Sequence, residues 1–249
     1  MAHDDRETGG DDEARRRFLR EVAGRFDSID RLQGDASTRE YWRVRAGGMT
    51  YILCHDGALA GNGADRHPFL VVYRLFSAHA IPVPTVLALR EEDGLLLLED
   101  CGDTLLEDAA RNAPPHERAR LYRGALDILI RIQAIPRNND PCFQLSFDFE
   151  KLMFEFDFFI EHALCRVFGV ASNDPRIPAL REEFAAICAH LVKPDLFVLN
   201  HRDYHSRNIM VKSGNLVVID FQDARMGLPQ YDCVSLLRDS YLPLHGGEF

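Results

Sequence analysis

The chain has 249 residues, 46% of them apolar with 16 Phe and one Trp, which is enough material for one large domain or two small lobes. Its 39 acidic residues outnumber 29 basic ones, giving a formal net charge of -10, and among the cations only Lys151, Lys193 and Lys212 are lysines. That balance argues against the basic face that nucleic-acid binding needs, so the expected partners are small molecules, with no nucleic acid and no membrane. The six cysteines stand far apart with no zinc or redox spacing. No apolar run approaches the roughly 20 residues of a membrane span, and a cytoplasmic location is the expectation.

Residues 1 to 12 are acidic and glycine-containing and read as a disordered tail. From Glu13, Phe18, Val22 and Phe26 recur every four residues among Arg and Glu, the stripe of an amphipathic helix ending near Asp27. A small-residue loop, Gly34-Asp35-Ala36-Ser37, leads into two β-type runs, Glu40–Val44 and Met49–Cys54, which flank an Ala-Gly-Gly turn and predict a hairpin. ALAGNGADRH reads as a glycine-rich loop, and His67–His79 as a helix stopped by Pro82 and Pro84. Pro84–Leu89 and Leu95–Leu98 predict two further strands, and the polar run EDCGDTLLED reads as a connector between lobes.

Beyond Asn112 the pattern turns helical, over Glu117–Ile135, Phe149–Phe168 and Ile177–Leu191. Two short β-type runs, Ile209–Val211 and Leu216–Ile219, interrupt it around the turn Lys212-Ser213-Gly214-Asn215. The expected fold is therefore α+β and two-lobed. Residues 13–100 form an N-terminal lobe of antiparallel sheet and helix, and residues 101–249 a mainly helical lobe carrying a hairpin.

The stretch NHRDYHSRNIMV, from Asn200, feeds that hairpin. A tight hairpin brings its two ends together, so Asn208 and Asp220 become neighbours, with the carboxylate of Asp203 beside them. Two hard oxygen ligands and one further carboxylate suit Mg²⁺, which takes few protein oxygens and completes its shell with water and phosphate. That set fits phosphoryl transfer, with Asp203 facing an acceptor hydroxyl and Asn208 and Asp220 holding the metal. A carboxylate of ordinary acidity is a weak base for an alcohol, so its part is orientation and late proton capture. The rival is a zinc hydrolase built on His201, Asp203 and His205, which leaves Asn208, Asp220 and the hairpin without a purpose.

HRDYHSRN followed by VVIDFQDA resembles the catalytic loop and metal-binding strand end of the aminoglycoside phosphotransferase and choline kinase group, which shares the protein-kinase-like fold. GDASTREYWRV, LLLLEDCGD and GLPQYDCVSLLRDSY are together most similar to the bacterial anomeric kinases of N-acetylmuramate or N-acetylglucosamine in cell-wall recycling. The resemblance covers roughly Leu32 to Tyr241. It implies ATP and Mg²⁺ as cofactors, Gly34, Asp35, Ala36 and Ser37 as a nucleotide-covering loop, and Leu97–Asp100, including Glu99, as the hinge facing adenine. It implies Asp203 as the catalytic carboxylate, Asn208 and Asp220 as metal ligands, and Asp232 as a brace for the catalytic loop.

Two departures stand out. Kinases of this fold carry a strand lysine paired to a glutamate on the next helix, whereas this strand reads TYILCHDG and the following helix, HPFLVVYRLFSAH, contains no acid. Either an arginine substitutes, with Arg39 and Arg43 the nearest, or Mg²⁺ and backbone hold the phosphates alone. The family continues for several helices past YDCVSLLRDSY while this chain stops at LPLHGGEF, so a chain shortened at its C-terminus is the expectation. The expected function is transfer of the γ-phosphate of ATP to a hydroxyl, foremost the anomeric hydroxyl of an N-acetyl amino sugar. An aminoglycoside-type antibiotic kinase and a catalytically weak nucleotide-binding pseudokinase are the alternatives.

Overall fold

The computed structural model describes residues 7–32, 39–242 and Leu244. The loop Gly34-Asp35-Ala36-Ser37 lies outside the described residues. Helix α1 (Glu7–Val22) begins inside the stretch expected to be a disordered tail and ends before Phe26, because Gly24 turns the chain at φ +70°. Phe18 and Leu19 are buried beneath it, and Phe26 packs at the edge of the same cluster.

Five strands form one antiparallel sheet in the order β1-β2-β3-β5-β4. They are β1 (Ser28–Arg31), β2 (Glu40–Ala46), β3 (Met49–His55), β4 (Val86–Arg90) and β5 (Leu95–Glu99). Four consecutive leucines in β5 follow from its central place. Leu95 and Leu97 join Phe18, Trp42, Val44 and Leu53 on the α1 face, while Leu96 and Leu98 join Cys54, Leu59 and Leu70 on the other. A strand buried on both faces shows no alternation.

The expected glycine-rich loop contains a short helix, α2 (Gly57–Asn62). Its weak helix formers fold there because Asp56 caps it, accepting the Ala58 N–H at 3.0 Å, and because Leu59 is completely buried. Helix α3 (Pro68–Ala78) follows, and its Val72, Leu75 and Phe76 belong to the same buried cluster as Tyr122, Leu129 and Phe221 further along the chain. Phe221 stacks on Phe69 at 5.0 Å and tilts against Phe76 at 5.5 Å, so α3 anchors the first lobe on the second.

The expected connector yields α4 (Leu106–Arg111), and α5 (Pro115–Gln133) runs through the second lobe's core. α6 (Phe149–Phe158) continues as a π-helical segment over Phe159–Val167, and α7 (Arg176–Leu191) packs beside it. Strand β6 (Val198–Asn200) pairs antiparallel with β9 (Arg225–Gly227), and between them lies the hairpin of β7 (Ile209–Lys212) and β8 (Asn215–Val218). Its register sets Ile209 opposite Val218 and Lys212 opposite Asn215, which places Asn208 and Asp220 at its open end. α8 (Gln230–Leu237) is the last helix among the described residues. Among the described residues no helix is long and apolar enough to cross a membrane.

The turn between β4 and β5 has a strict requirement. Gly94 sits at φ +64°, and a Cβ there would meet the Asp56 carbonyl oxygen at 2.7 Å, the residue whose N–H it accepts at 2.8 Å. Gly94→Ala is expected to destabilise the fold by about 1–3 kcal/mol in urea unfolding. Gly24→Ala, also at positive φ but with open space around it, serves as the control and should lose less.

Candidate active site

Residues 201–208 lead from β6 into the hairpin as an irregular loop that three buried groups hold from below. Tyr204, fully buried, donates its hydroxyl to the Ala125 carbonyl in α5 at 2.8 Å. Asp232, in the first turn of α8, accepts the backbone N–H groups of His201 at 2.6 Å and Arg202 at 3.0 Å. Asp239, just past α8, accepts the Ser206 N–H at 2.8 Å and the Ser206 hydroxyl. Buried N–H groups without such acceptors would be costly, so these contacts leave the loop little freedom. Arg202 is held at φ +89° and Asp220 at φ +62°, both in the left-handed region that non-glycine residues seldom adopt. Such conformations persist where the surroundings over-determine them.

The bracing role expected for Asp232 is thus present in the geometry. Burial pushes its carboxyl up to about 7, against the two N–H donors, which favour the ionised form. Asp239 buttresses the same loop further along, at Ser206. The spacing LRD at the end of a helix is the sole sequence trace of that role.

Asp203, Asn208 and Asp220 line one pocket of about 590 Å³ together with Glu107, Arg207 and Tyr241. Asn208 donates its amide N–H to the Asp203 carbonyl at 2.9 Å, which turns its Oδ1 away from that carbonyl. Its own carbonyl accepts the Ile219 N–H at 3.0 Å, so the hairpin ladder fixes it next to Asp220. Asp220 accepts a hydrogen bond from the Gln222 amide at 2.8 Å. Two hard oxygen donors beside one further carboxylate fit a magnesium ion completed by water and phosphate. Among the described residues no group of three His, Cys, Asp or Glu is arranged to hold a metal ion.

His201 is unsuited to the zinc reading for a positive reason. It is completely buried, its Nε2 lies 2.9 Å from the Ile219 carbonyl, and its Nδ1 accepts the Asp203 N–H at 3.3 Å. Both ring nitrogens belong to the loop. His205 sits at the pocket wall, where it caps the turn Ser206–Asn208 and packs edge-on to Tyr241 at 5.3 Å.

On the other side of Asn208 and Asp220 opens a larger cleft of about 810 Å³ between sheet and hairpin, lined by Arg39, Arg43, Ile52, Leu98 and Glu99 among others. Its two arginines differ. The Arg43 fork donates to Asp103 at 2.8 and 3.0 Å, to Asp100 at 3.1 Å and to the Gly102 carbonyl at 3.2 Å, making it a clasp on the segment joining the lobes. Arg39 instead pairs with Asp56 through Nε at 2.7 Å. Glu99 also has partners, since its carboxylate accepts the Lys212 ammonium at 2.6 Å and the Thr85 hydroxyl at 2.7 Å. The Lys212 hydrogen bond holds Glu99 below the usual carboxylate range. Lys212 also donates to the Asp100 carbonyl at 2.9 Å, so the hairpin turn grips the strand end, a contact that sequence spacing does not reveal.

Between cleft and pocket stands Arg207, paired with the buried carboxylate of Glu107 at 2.6 Å and stacked 3.8 Å over Tyr241. Neither Glu107 nor Arg207 was singled out from sequence. Their pairing spans a hundred positions, and nothing local marks it.

Burial drives the His201 imidazole down to about 4 from an ordinary 6.5. Between those values the folded state binds fewer protons than the unfolded chain, so stability is full above 6.5 and is lost as the pH falls toward 4. Replacing the titrating ring, as in His201→Gln, is expected to flatten the acid limb of melting temperature against pH. An equally steep limb in the variant would contradict the neutral, buried assignment.

Residues 28–247 match the sequence model of the phosphotransferase enzyme family. Two curated relatives are named N-acetylmuramate/N-acetylglucosamine kinase. The one from Pseudomonas aeruginosa is 32% identical over 84% of this chain, and the one from Pseudomonas putida is 30% identical over 86%. The chain spans 59% and 60% of the length of those relatives. Among solved structures, choline kinase LicA from Streptococcus pneumoniae superposes with a TM-score of 0.65 at 16% identity, over 95% of this chain and 76% of that one. ADP-bound aminoglycoside phosphotransferase APH(2'')-Ib gives 0.65 at 15% identity, over 93% and 77%. The two-lobed architecture is therefore the protein-kinase-like fold of those proteins, and the chain belongs to the phosphotransferase enzyme family.

Proposed function

We propose that the chain transfers the γ-phosphate of ATP to a hydroxyl of a small molecule, foremost the anomeric hydroxyl of an N-acetyl amino sugar. The observation that carries this reading is the wall shared by two cavities. Asn208 and Asp220 line both the interlobe cleft and the smaller pocket, and Asp203 faces the pocket alone. A nucleotide in the cleft would direct its terminal phosphate at that wall, with the acceptor on the far side. The names of the curated relatives support the amino-sugar acceptor.

In this reading the backbone of Leu97–Asp100 borders the base, and Arg39, which meets Asp56 through Nε, provides the cation for the phosphates, while both terminal nitrogens of Arg43 serve the clasp on Asp100 and Asp103. Asn208 through Oδ1 and Asp220 through its carboxylate would hold the magnesium ion. That ion, when bound, neutralises charge on the phosphate oxygens. Asp203 accepts a hydrogen bond from the acceptor hydroxyl and orients its oxygen toward the γ-phosphorus. The new P–O bond forms as the bond to the β–γ bridging oxygen breaks, and the hydroxyl proton passes late to Asp203.

The pocket's charge argues against a polycationic acceptor. Of its carboxylates, Glu107 is neutralised by Arg207 and Arg111, and Asp203 and Asp220 serve the reaction. Asp108 remains as the acid in surplus, too little to hold an aminoglycoside.

A coupled assay of ADP release across N-acetyl amino sugars, aminoglycosides and choline-type alcohols tests the reading. Turnover is expected with the amino sugars, falling by about 10²–10⁴ in Asp203→Asn while the affinity for ATP is retained. Activity unchanged in that variant would remove Asp203 from its role. Nucleotide binding with no turnover on any acceptor would favour the pseudokinase instead.

A further inference from the structure

The first lobe contains a polar triad, Asp56, Arg39 and His67, that the catalytic constellation does not use. Asp56 follows directly on β3, with its side chain 5% exposed. Its Oδ1 caps α2, and its Oδ2 is shared by Arg39 Nε at 2.7 Å and His67 Nε2 at 3.0 Å. His67, itself 1% exposed, is the N-cap residue of α3, so three elements meet at one carboxylate oxygen. The turn before β5 closes over the same residue through Gly94.

We infer that Asp56, held by His67, is a positioning residue that fixes the Arg39 guanidinium on the cleft wall for the phosphates of the nucleotide; the inference rests on the function proposed above. A carboxylate buried this deeply needs a cation, and Arg39 is the cation it has. The dependence also runs the other way. An arginine stem has several rotatable bonds, and a guanidinium on a cleft wall contributes to binding only if its direction is set beforehand. Asp56 sets it through Nε, the nitrogen nearest the stem, so the fork beyond stands at the wall with Tyr41.

The protonation states agree with this geometry. Burial works against the Arg39 charge, and Tyr41 and Asp56 more than offset it, so the guanidinium pKa rises. Burial likewise opposes ionisation of Asp56, but Arg39 and the Ala58 N–H hold its carboxyl below the ordinary value. Burial lowers His67, which is therefore a neutral donor through Nε2, and its Nδ1 has no hydrogen-bond partner among the described residues. The imidazole's place is to fix the carboxylate without adding a second charge that would compete with Arg39.

The test compares calorimetric affinities for ATP and for adenosine, since a merely structural loss would weaken both. Asp56→Asn, nearly isosteric and still able to cap α2, is expected to weaken ATP by about tenfold and to leave adenosine within about twofold. Arg39→Ala should do the same, and the double variant should be no worse than Arg39→Ala alone, because Asp56 acts through that side chain. His67→Leu tests the triad without touching either charge, and a smaller loss confined to ATP is expected; this variant decides if Asp56→Asn fails to fold. Wild-type discrimination between ATP and adenosine in Asp56→Asn or His67→Leu, with discrimination lost in Arg39→Ala, would overturn the positioning role. Wild-type discrimination in Arg39→Ala would overturn Arg39 as the phosphate cation, and the inference with it. Absence of binding by either compound to the wild-type chain would instead sink the nucleotide reading.

Discussion

The backbone N–H groups of His201 and Arg202 point into the interior, where a helix start rather than water must satisfy them. Asp232 takes both, and the consequences spread along the loop in each direction. Arg202 is kept in a left-handed conformation, which turns the chain so that Asp203 faces the pocket. His201 is pulled under the hairpin, where its two nitrogens tie the Asp203 N–H to the Ile219 carbonyl. Asp239 repeats the device at Ser206, one turn before the hairpin opens. The groups that face the cavities are thus set by groups that never reach them, and the strain is maintained by buried hydrogen bonds.

The second constraint is the distribution of charge between the lobes. Arg43 binds Asp100 and Asp103 from the sheet side, and Lys212 binds Glu99 and the Asp100 carbonyl from the hairpin. These contacts clasp the segment after β5 from both sides, and Phe221 wedged against Phe69 and Phe76 adds an apolar join behind it. Arg39 is anchored apart from this clasp, on the Asp56 carboxylate just past β3. The chain's near-absence of lysine therefore has a structural answer: planar guanidinium groups fill most cationic positions around the cleft, and one of three lysines serves as the interlobe tie.

Much of this was legible in the sequence where local pattern and tertiary environment agree. The hairpin at Ile209 was readable because its turn residues and β-type runs demand that pairing, and pairing alone makes neighbours of Asn208 and Asp220. β5 was readable because a central strand must be apolar on both faces. By contrast, β1 is four residues long with Asp30 and Arg31 exposed, so neither alternation nor hydrophobicity marks it, and only its ladder with β2 makes it a strand. α2 was missed because Gly, Ala and Asn read as loop; its helix depends on a cap from Asp56 and on the burial of Leu59. Asp56, Glu107 and Asp239 look like ordinary surface acids in the sequence, because their partners lie 17, 100 and 33 positions away.

The central claim is that Asn208 and Asp220 hold a divalent cation, together with nucleotide phosphates, opposite Asp203. The most direct measurement is electron paramagnetic resonance with Mn²⁺ in place of Mg²⁺, following the signal of the free ion as chain and ATP are added. Loss of that signal beyond the loss caused by ATP alone is predicted for the wild-type chain, along with its recovery in Asp220→Ala. An unchanged signal with the wild-type chain, or an equal loss with Asp220→Ala, would contradict it.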